Sequence, residues 1–225
     1  MIQHLNTDIS FCEMDGRLFF LDIQNDQYFQ LSRALELNLL SYLEAPDNPA
    51  VDISGLIKHN LISLTTTLPY SSSAMGITLP SESAIEMPCP GKRVPFDAAL
   101  DVFVMVATMR WQLKVRRLKQ VLQALSDYRN ERTSPPVHDQ AELRQRLSEA
   151  ATAFNLVRPY VPIEMCCLID SLSMVRFLAK RGLHAHLIMG VASDPFSAHA
   201  WVQHGSLVLN ETVGKAQTHI PIRVI

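Results

Sequence analysis

The sequence predicts an α+β protein in two parts: a small winged-helix-like unit of three strands and a few helices, then a larger domain whose helices precede an antiparallel sheet. Three observations carry this. Residues 8–31 alternate short apolar runs with turn residues, residues 64–95 are crowded with Thr, Ser and Pro, and from residue 96 long helical periodicities give way to β-rich runs. The middle stretch cannot sustain helix or bury much surface, so it reads as a linker. The expected organisation is a unit over residues 1–68, a Ser/Pro-rich linker over 69–95 and a domain over 96–225.

Within the first unit, Ile9 to Cys12, Leu18 to Leu21 and Tyr28 to Leu31 read as strands, separated by turns at Asp15-Gly16 and Asn25-Asp26. Ser32 then caps a helix with Leu35, Leu39, Tyr42 and Leu43 on one face, which Pro46 and Pro49 end. Ser54 caps a shorter helix with Leu56, Ile57 and Leu61 facing inward. Beyond the linker, no Pro or Gly interrupts the pattern from Phe96 to Tyr128, so one long helix is expected, and its basic run from Lys114 to Lys119 reads as a solvated face. A second helix fits residues 138–157, where Leu143, Leu147, Ala150 and Phe154 share a face until Pro159 and Pro162 intervene. The third, over residues 165–181, buries Met165, Leu168, Ile169, Leu172, Val175 and Ala179 and ends at Gly182 as a left-handed cap. Strands follow at 184–191, 198–203 and 206–210, the last two joined at His204-Gly205.

Composition narrows the function. With 48% hydrophobic and 19% charged residues the chain is an ordinary globular protein, and a net charge of −2 argues against a nucleic-acid partner, whose phosphates need clustered Lys and Arg. The N-terminus has no basic head and apolar run, so export is not expected. The longest apolar stretch, residues 98–107, carries Asp101 and is too short to span a bilayer. The four cysteines, Cys12, Cys89, Cys166 and Cys167, form neither CxxC nor a disulfide framework, which suits a reducing cytoplasm. Cys89, between two prolines, reads as a bystander thiol.

Chemistry concentrates in the last quarter. A helix N-terminus offers unpaired N–H groups and partial positive charge, which lower a thiol pKa and can hold an oxyanion, and Cys166 and Cys167 both lie there. Helical periodicity does not choose between them. His199 shares a strand face with Trp201, and Asn210 or Glu211 on the returning strand is placed to fix the imidazole tautomer. Together these are the parts of a cysteine acyl-transfer site. A rival reading is a metal site, since Cys166, Cys167, His184, His186, His199 and His204 fall within about forty residues. Adjacent cysteines make an awkward chelate, so no metal is expected.

The run Cys167-Leu168-Ile169-Asp170-Ser171-Leu172, then Arg181-Gly182, Gly190-Val191 and Pro195-Phe196-Ser197-Ala198-His199-Ala200-Trp201-Val202, resembles the lasso peptide B proteins, proteases of the transglutaminase-like superfamily. The family's spacing implies Cys167 as nucleophile and His199 as base. Its third residue is usually Asp just after Asn, and here the pair is Asn210-Glu211: Glu211 matches by position, Asn210 by hairpin register. The stretch from Leu18 to Ser32 is similar to PqqD-like leader-recognition modules. In those, a precursor's leader adds a strand to the third strand and rests on the last helix, which implies leader contacts at Tyr28, Phe29, Gln30, Leu31, Leu56 and Ile57. The resemblance thus implies a leader peptidase that binds no cofactor itself, partnered by a precursor peptide and an asparagine-synthetase-like cyclase, with ATP needed in the assembled system. An amine acyltransferase of the same fold and a non-catalytic precursor-delivery protein are the alternatives.

Overall fold

The computed structural model describes residues 4–45, 52–63, 77–87, 94–133 and 140–225. A short strand β1 (His4–Leu5) leads into a meander of β2 (Ile9–Met14), β3 (Arg17–Asp22) and β4 (Gln27–Gln30). Asp15 and Gly16, at φ of 54° and 70°, make the left-handed turn whose twist matches a hairpin, and they fix Met14 opposite Arg17. α1 (Arg33–Glu44) starts as expected, with the Ser32 hydroxyl oxygen accepting the Leu35 N–H. α2 (Ser54–Lys58) differs: Ser54 is its first residue and not its cap, because the Asp52 carboxylate accepts both the Ser54 N–H and hydroxyl. β5 (Ile62–Ser63) closes the unit by pairing with β1. The expected stop at Pro46 and Pro49, the boundary at residue 68 and Cys89 lie outside the described residues.

Side chains alternate along a strand, so the meander has two faces, and both are covered. Ile9, Leu18, Phe20 and Leu31 pack with Leu39 and Leu56 in a core belonging to the unit itself. Cys12, Met14, Leu21 and Ile23 join the main core of the larger domain instead. Burial pushes the Cys12 thiol up to about 11, so it behaves as a small core residue.

The larger domain opens with β6 (Glu82–Ser83), then α3 (Phe96–Val115), α4 (Leu118–Arg132), α5 (Gln140–Val157) and α6 (Cys167–Lys180). β7 (His186–Ser193), β8 (Phe196–His204), β9 (Leu207–Val208), α7 (Val213–Gln217) and β10 (Ile220–Val224) complete it. The sheet runs β10-β7-β8-β9-β6, antiparallel except for the parallel β6–β9 pair. Residues 77–87, inside the expected linker, therefore pack: Ala84 sits in the main core and Ser83 Oγ donates to the Glu211 carbonyl at 2.6 Å. Ser- and Pro-rich composition disfavours helix, but a short edge strand meets its polar demand through backbone pairing.

Two helices replace the single one expected from residue 96. Arg116 and Arg117 are extended, the Gln120 side chain accepts the Arg117 N–H, and the Lys119 N–H reaches the Ile23 carbonyl of the N-terminal unit. The break is tertiary in origin, letting α3 and α4 both lie against α6. Lys119 also pairs with Asp8 at 2.7 Å, so the basic run helps join the two units as well as facing water. α6 is buried nearly all round, between the sheet and these helices, whereas Met165 precedes it and is exposed. Gly182, at φ 72°, ends it as expected, with Leu183 N–H returning to the Leu178 carbonyl. α7 and β10 were not expected: one is five residues long, and Pro221 with a register shift before Arg223 masks the other's alternation.

At the start of β7, the His184 and His186 rings meet at 4.7 Å, beside the buried Arg129, which donates to the Ala185 and Ile225 carbonyls. Burial first, then the charge of Arg129, lowers His184 to about 4 and also lowers His186. The folded chain thus binds these protons less readily than the unfolded chain, where histidine titrates near 6.5. Stability is full above 6.5 and is lost as the pH falls through about 4. His184→Gln should flatten that fall, as read by thermal unfolding at successive pH values.

Candidate active site

The start of α6 is held rigidly. Arg158, 2% exposed, donates through Nε to Asp170 at 2.5 Å and through its two other nitrogens to the Ile163 and Glu164 carbonyls at 3.0 Å each. The second oxygen of Asp170 accepts the Cys166 N–H at 3.2 Å. Loop and first turn are thereby joined, and removing either charge would strand the other in the interior at about 3–5 kcal/mol. Neither residue was expected at the site. Asp170 had a signal in its place in the first turn after the cysteines, whereas nothing marked Arg158 in advance.

This anchoring separates the two cysteines. Cys166 is the exposed N-cap, while Cys167 is half-buried, with the Ala200 and Leu168 backbone N–H groups near enough to favour its thiolate. Burial raises the Cys167 thiol above its ordinary 9.0, and those N–H groups offset only part of the rise. The lowering expected of a helix N-terminus is thus outweighed, and the resting group is a thiol.

His199 lies on β8 next to Ala200, with its Nε2–H donating to the Glu211 carboxylate at 2.8 Å. Burial lowers its pKa below 6.5; Glu211 opposes this, while the charges of His219 and Lys215 add to it. The ring is neutral at pH 7. Because Nε2 carries the hydrogen, the basic lone pair is on Nδ1, which has no hydrogen-bond partner among the described residues. Nor does a hydrogen bond join Cys167 to His199 there; such contacts often tighten only with substrate.

Of the two candidates for orienting the imidazole, Glu211 touches the ring and Asn210 does not. Asn210 Oδ1 accepts the Val202 N–H at 2.7 Å and its Nδ2 donates to Ser171 Oγ at 2.9 Å, while Ser171 donates to the Ala200 carbonyl. Its side chain stands in for a ladder partner where β9 has ended, and the chain can turn to bring Glu211 to the imidazole. The second Glu211 oxygen accepts the Thr212 N–H at 2.9 Å.

Of the expected leader contacts, Gln30 and Ile57 are exposed and Tyr28 and Phe29 partly so. The Leu31 and Leu56 side chains fill the unit's own core, so what either offers a leader is backbone. β4 pairs with β3 alone, leaving its outer edge without a strand partner among the described residues. Tyr28 meets Phe196 edge-on at 5.9 Å, and Phe19 stacks on the same ring at 6.0 Å. Burial, Asp26 and the nearby Cys167 push the Tyr28 hydroxyl up to about 12, so β4 lies within electrostatic reach of that thiol. Among the described residues no three His, Cys, Asp or Glu side chains converge as metal ligands.

A family model described as the transglutaminase-like superfamily matches residues 106–224, just over half of the chain. The chain belongs to that superfamily, which includes cysteine proteases. Among curated proteins, the microcin J25-processing protein McjB of Escherichia coli is 42% identical over 45 residues, 20% of this chain and 22% of McjB. The similarity therefore spans about a fifth of that relative's length. Both findings support the resemblance to the lasso peptide B proteins. No solved structure matches the chain.

Proposed function

We propose that this chain is a leader peptidase of lasso peptide biosynthesis, cutting a ribosomally made precursor between leader and core. The observation that carries the reading is the His199–Glu211 hydrogen bond, which leaves Nδ1 as the basic atom one residue from the Ala200 N–H at the Cys167 sulfur. His199 takes the Cys167 proton as the sulfur attacks the scissile carbonyl. Backbone N–H groups at the start of α6 face the developing oxyanion. The imidazolium, stabilised by Glu211, returns its proton to the departing amine, which becomes the core's new N-terminus. Water, deprotonated by the same ring, then releases the leader as a free carboxylate and restores the thiol.

The N-terminal unit serves in this reading as the winged-helix-like leader module, with the open β4 edge taking the leader as an added strand. The contacts of Tyr28 and Phe19 with Phe196, three residues ahead of His199, support delivery of that peptide to the site. No helix among the described residues is long and apolar enough to cross a membrane. We place the reaction in the cytoplasm, beside a cyclase that joins the freed amine to a side-chain carboxylate, with ATP used by the assembled system.

The test is to incubate the purified chain with a lasso precursor peptide and weigh the products. A leader ending in a carboxylate and a core beginning with an amine are expected, with slower hydrogen exchange in Gln27–Gln30 when leader is present. A new amide would replace the peptidase by an amine acyltransferase, and an intact precursor bound to the chain would leave only a delivery role.

A further inference from the structure

Gly190 faces His199 across the β7–β8 ladder, and a Cβ there would lie 2.8 Å from the Trp201 ring and 3.1 Å from the His219 Cβ. The missing side chain admits both rings beside the imidazole: Trp201 stacks at 6.2 Å and His219 lies 5.2 Å away. His219 is 5% exposed, and its polar atoms are all engaged. Nδ1 is 3.1 Å from the Lys215 carbonyl and 3.0 Å from Thr218 Oγ1, whose own hydrogen goes to that carbonyl at 2.8 Å. Both neighbours therefore require the ring hydrogen on Nδ1. Nε2 keeps the lone pair and accepts from the hydroxyl of Ser197, 3.2 Å away and on the same face of β8 as His199. The ring is fixed at one end to the turn before β10 and at the other to the strand that carries His199.

We propose that His219 is a positioning residue for His199: its tethered ring, together with Trp201, holds the imidazole in the orientation that keeps Nε2 on Glu211 and Nδ1 open to Cys167. This rests on the thiol–imidazole reading of the site. A ring held by one hydrogen bond alone can pivot about it, and the Glu211 contact supplies one; packing walls remove that freedom. His219 and Trp201 also line an apolar groove of about 770 Å³, so one flank of this support adjoins open space and not solid core. The titratable and charged groups facing His199 are Glu211 after β9, Lys215 on α7, His219 before β10 and Cys167 on α6; Glu13 of β2 joins His219 in lining the groove. His219 is among the groups that hold the His199 pKa down, so its loss should move the acid limb of activity upward in pH.

The experiment uses the full chain with His219→Gln and His219→Phe. It reads residue-resolved alkylation of Cys167 by iodoacetamide against pH, kcat and KM on the precursor, and thermal unfolding. His219→Gln should lower kcat about 10- to 100-fold with KM nearly unchanged, as expected when a catalytic group is misplaced. It should also raise the midpoint of the acid limb in the alkylation profile. His219→Phe, which keeps a ring without its tethers, should fall between that variant and wild type. A His219→Gln chain that melts like wild type and keeps its kcat and alkylation profile overturns the proposal. Nitrogen NMR of the wild-type imidazoles decides it if both variants unfold: His199 should be the Nε2–H tautomer and His219 the Nδ1–H tautomer, each in a single fixed form, and rapid tautomer averaging in either ring overturns it. Alkylation and NMR need no peptide, so absent precursor cleavage with the expected shifts would sink the peptidase reading alone.

Discussion

Cys167→Ala is expected to abolish precursor cleavage while leader binding persists, because the thiol and the β4 edge belong to different elements. Loss of a nucleophile can cost on the order of 10⁶ in kcat, so no residual turnover should be measurable. Cys166→Ala should retain substantial activity: that side chain is exposed, and what the site uses from it is a backbone N–H, which alanine keeps for Asp170 to accept. Product mass spectrometry for cleavage and calorimetry with the leader peptide separate the two effects. If Cys166 proves essential and Cys167 dispensable, the assignment of the thiol is wrong.

The fold is most legible in the sequence where one local signal is enough. Asp15-Gly16, Ser32 and Gly182 each have a backbone or capping reason to be where they are, and each occupies its expected role. It is least legible where a distant partner decides. The break before α4 depends on the Ile23 carbonyl, the burial of residues 77–87 on β9, and the expectation of an inward Met165 on a helix that starts two residues later. The site divides in the same way. A helix start marks Cys166 and Cys167 together and a strand face marks His199, both local facts, whereas Cys167 is singled out from its neighbour only by the family resemblance. Arg158, whose job is set by Asp170 and two carbonyls of the next loop, and His219, whose place depends on an absent side chain at Gly190, are not written in any short window. The rise of the Cys167 pKa is hidden for the same reason, since burial is a property of the whole packing.

Glu211→Ala and Asn210→Ala should fail in different ways. Glu211 touches the reacting ring, so its removal frees the imidazole tautomer and should cost about 10³- to 10⁴-fold in kcat with little change in leader binding. Asn210 touches the Val202 N–H and Ser171 instead, so its removal leaves polar groups short of a partner, about 1–3 kcal/mol, and should lower the melting temperature more than the turnover of chains that remain folded. Glu211→Asp should be partly active. Glu211→Gln supplies an acceptor without charge: the carboxylate that raises the His199 pKa is gone, burial and the charges of His219 and Lys215 remain, and the acid limb of kcat/KM should move to lower pH than in wild type even as the plateau falls. A pH series of kcat/KM beside thermal unfolding for the four variants checks this. If Asn210→Ala loses activity as steeply as Glu211→Ala while melting normally, the amide and not the carboxylate orients the histidine.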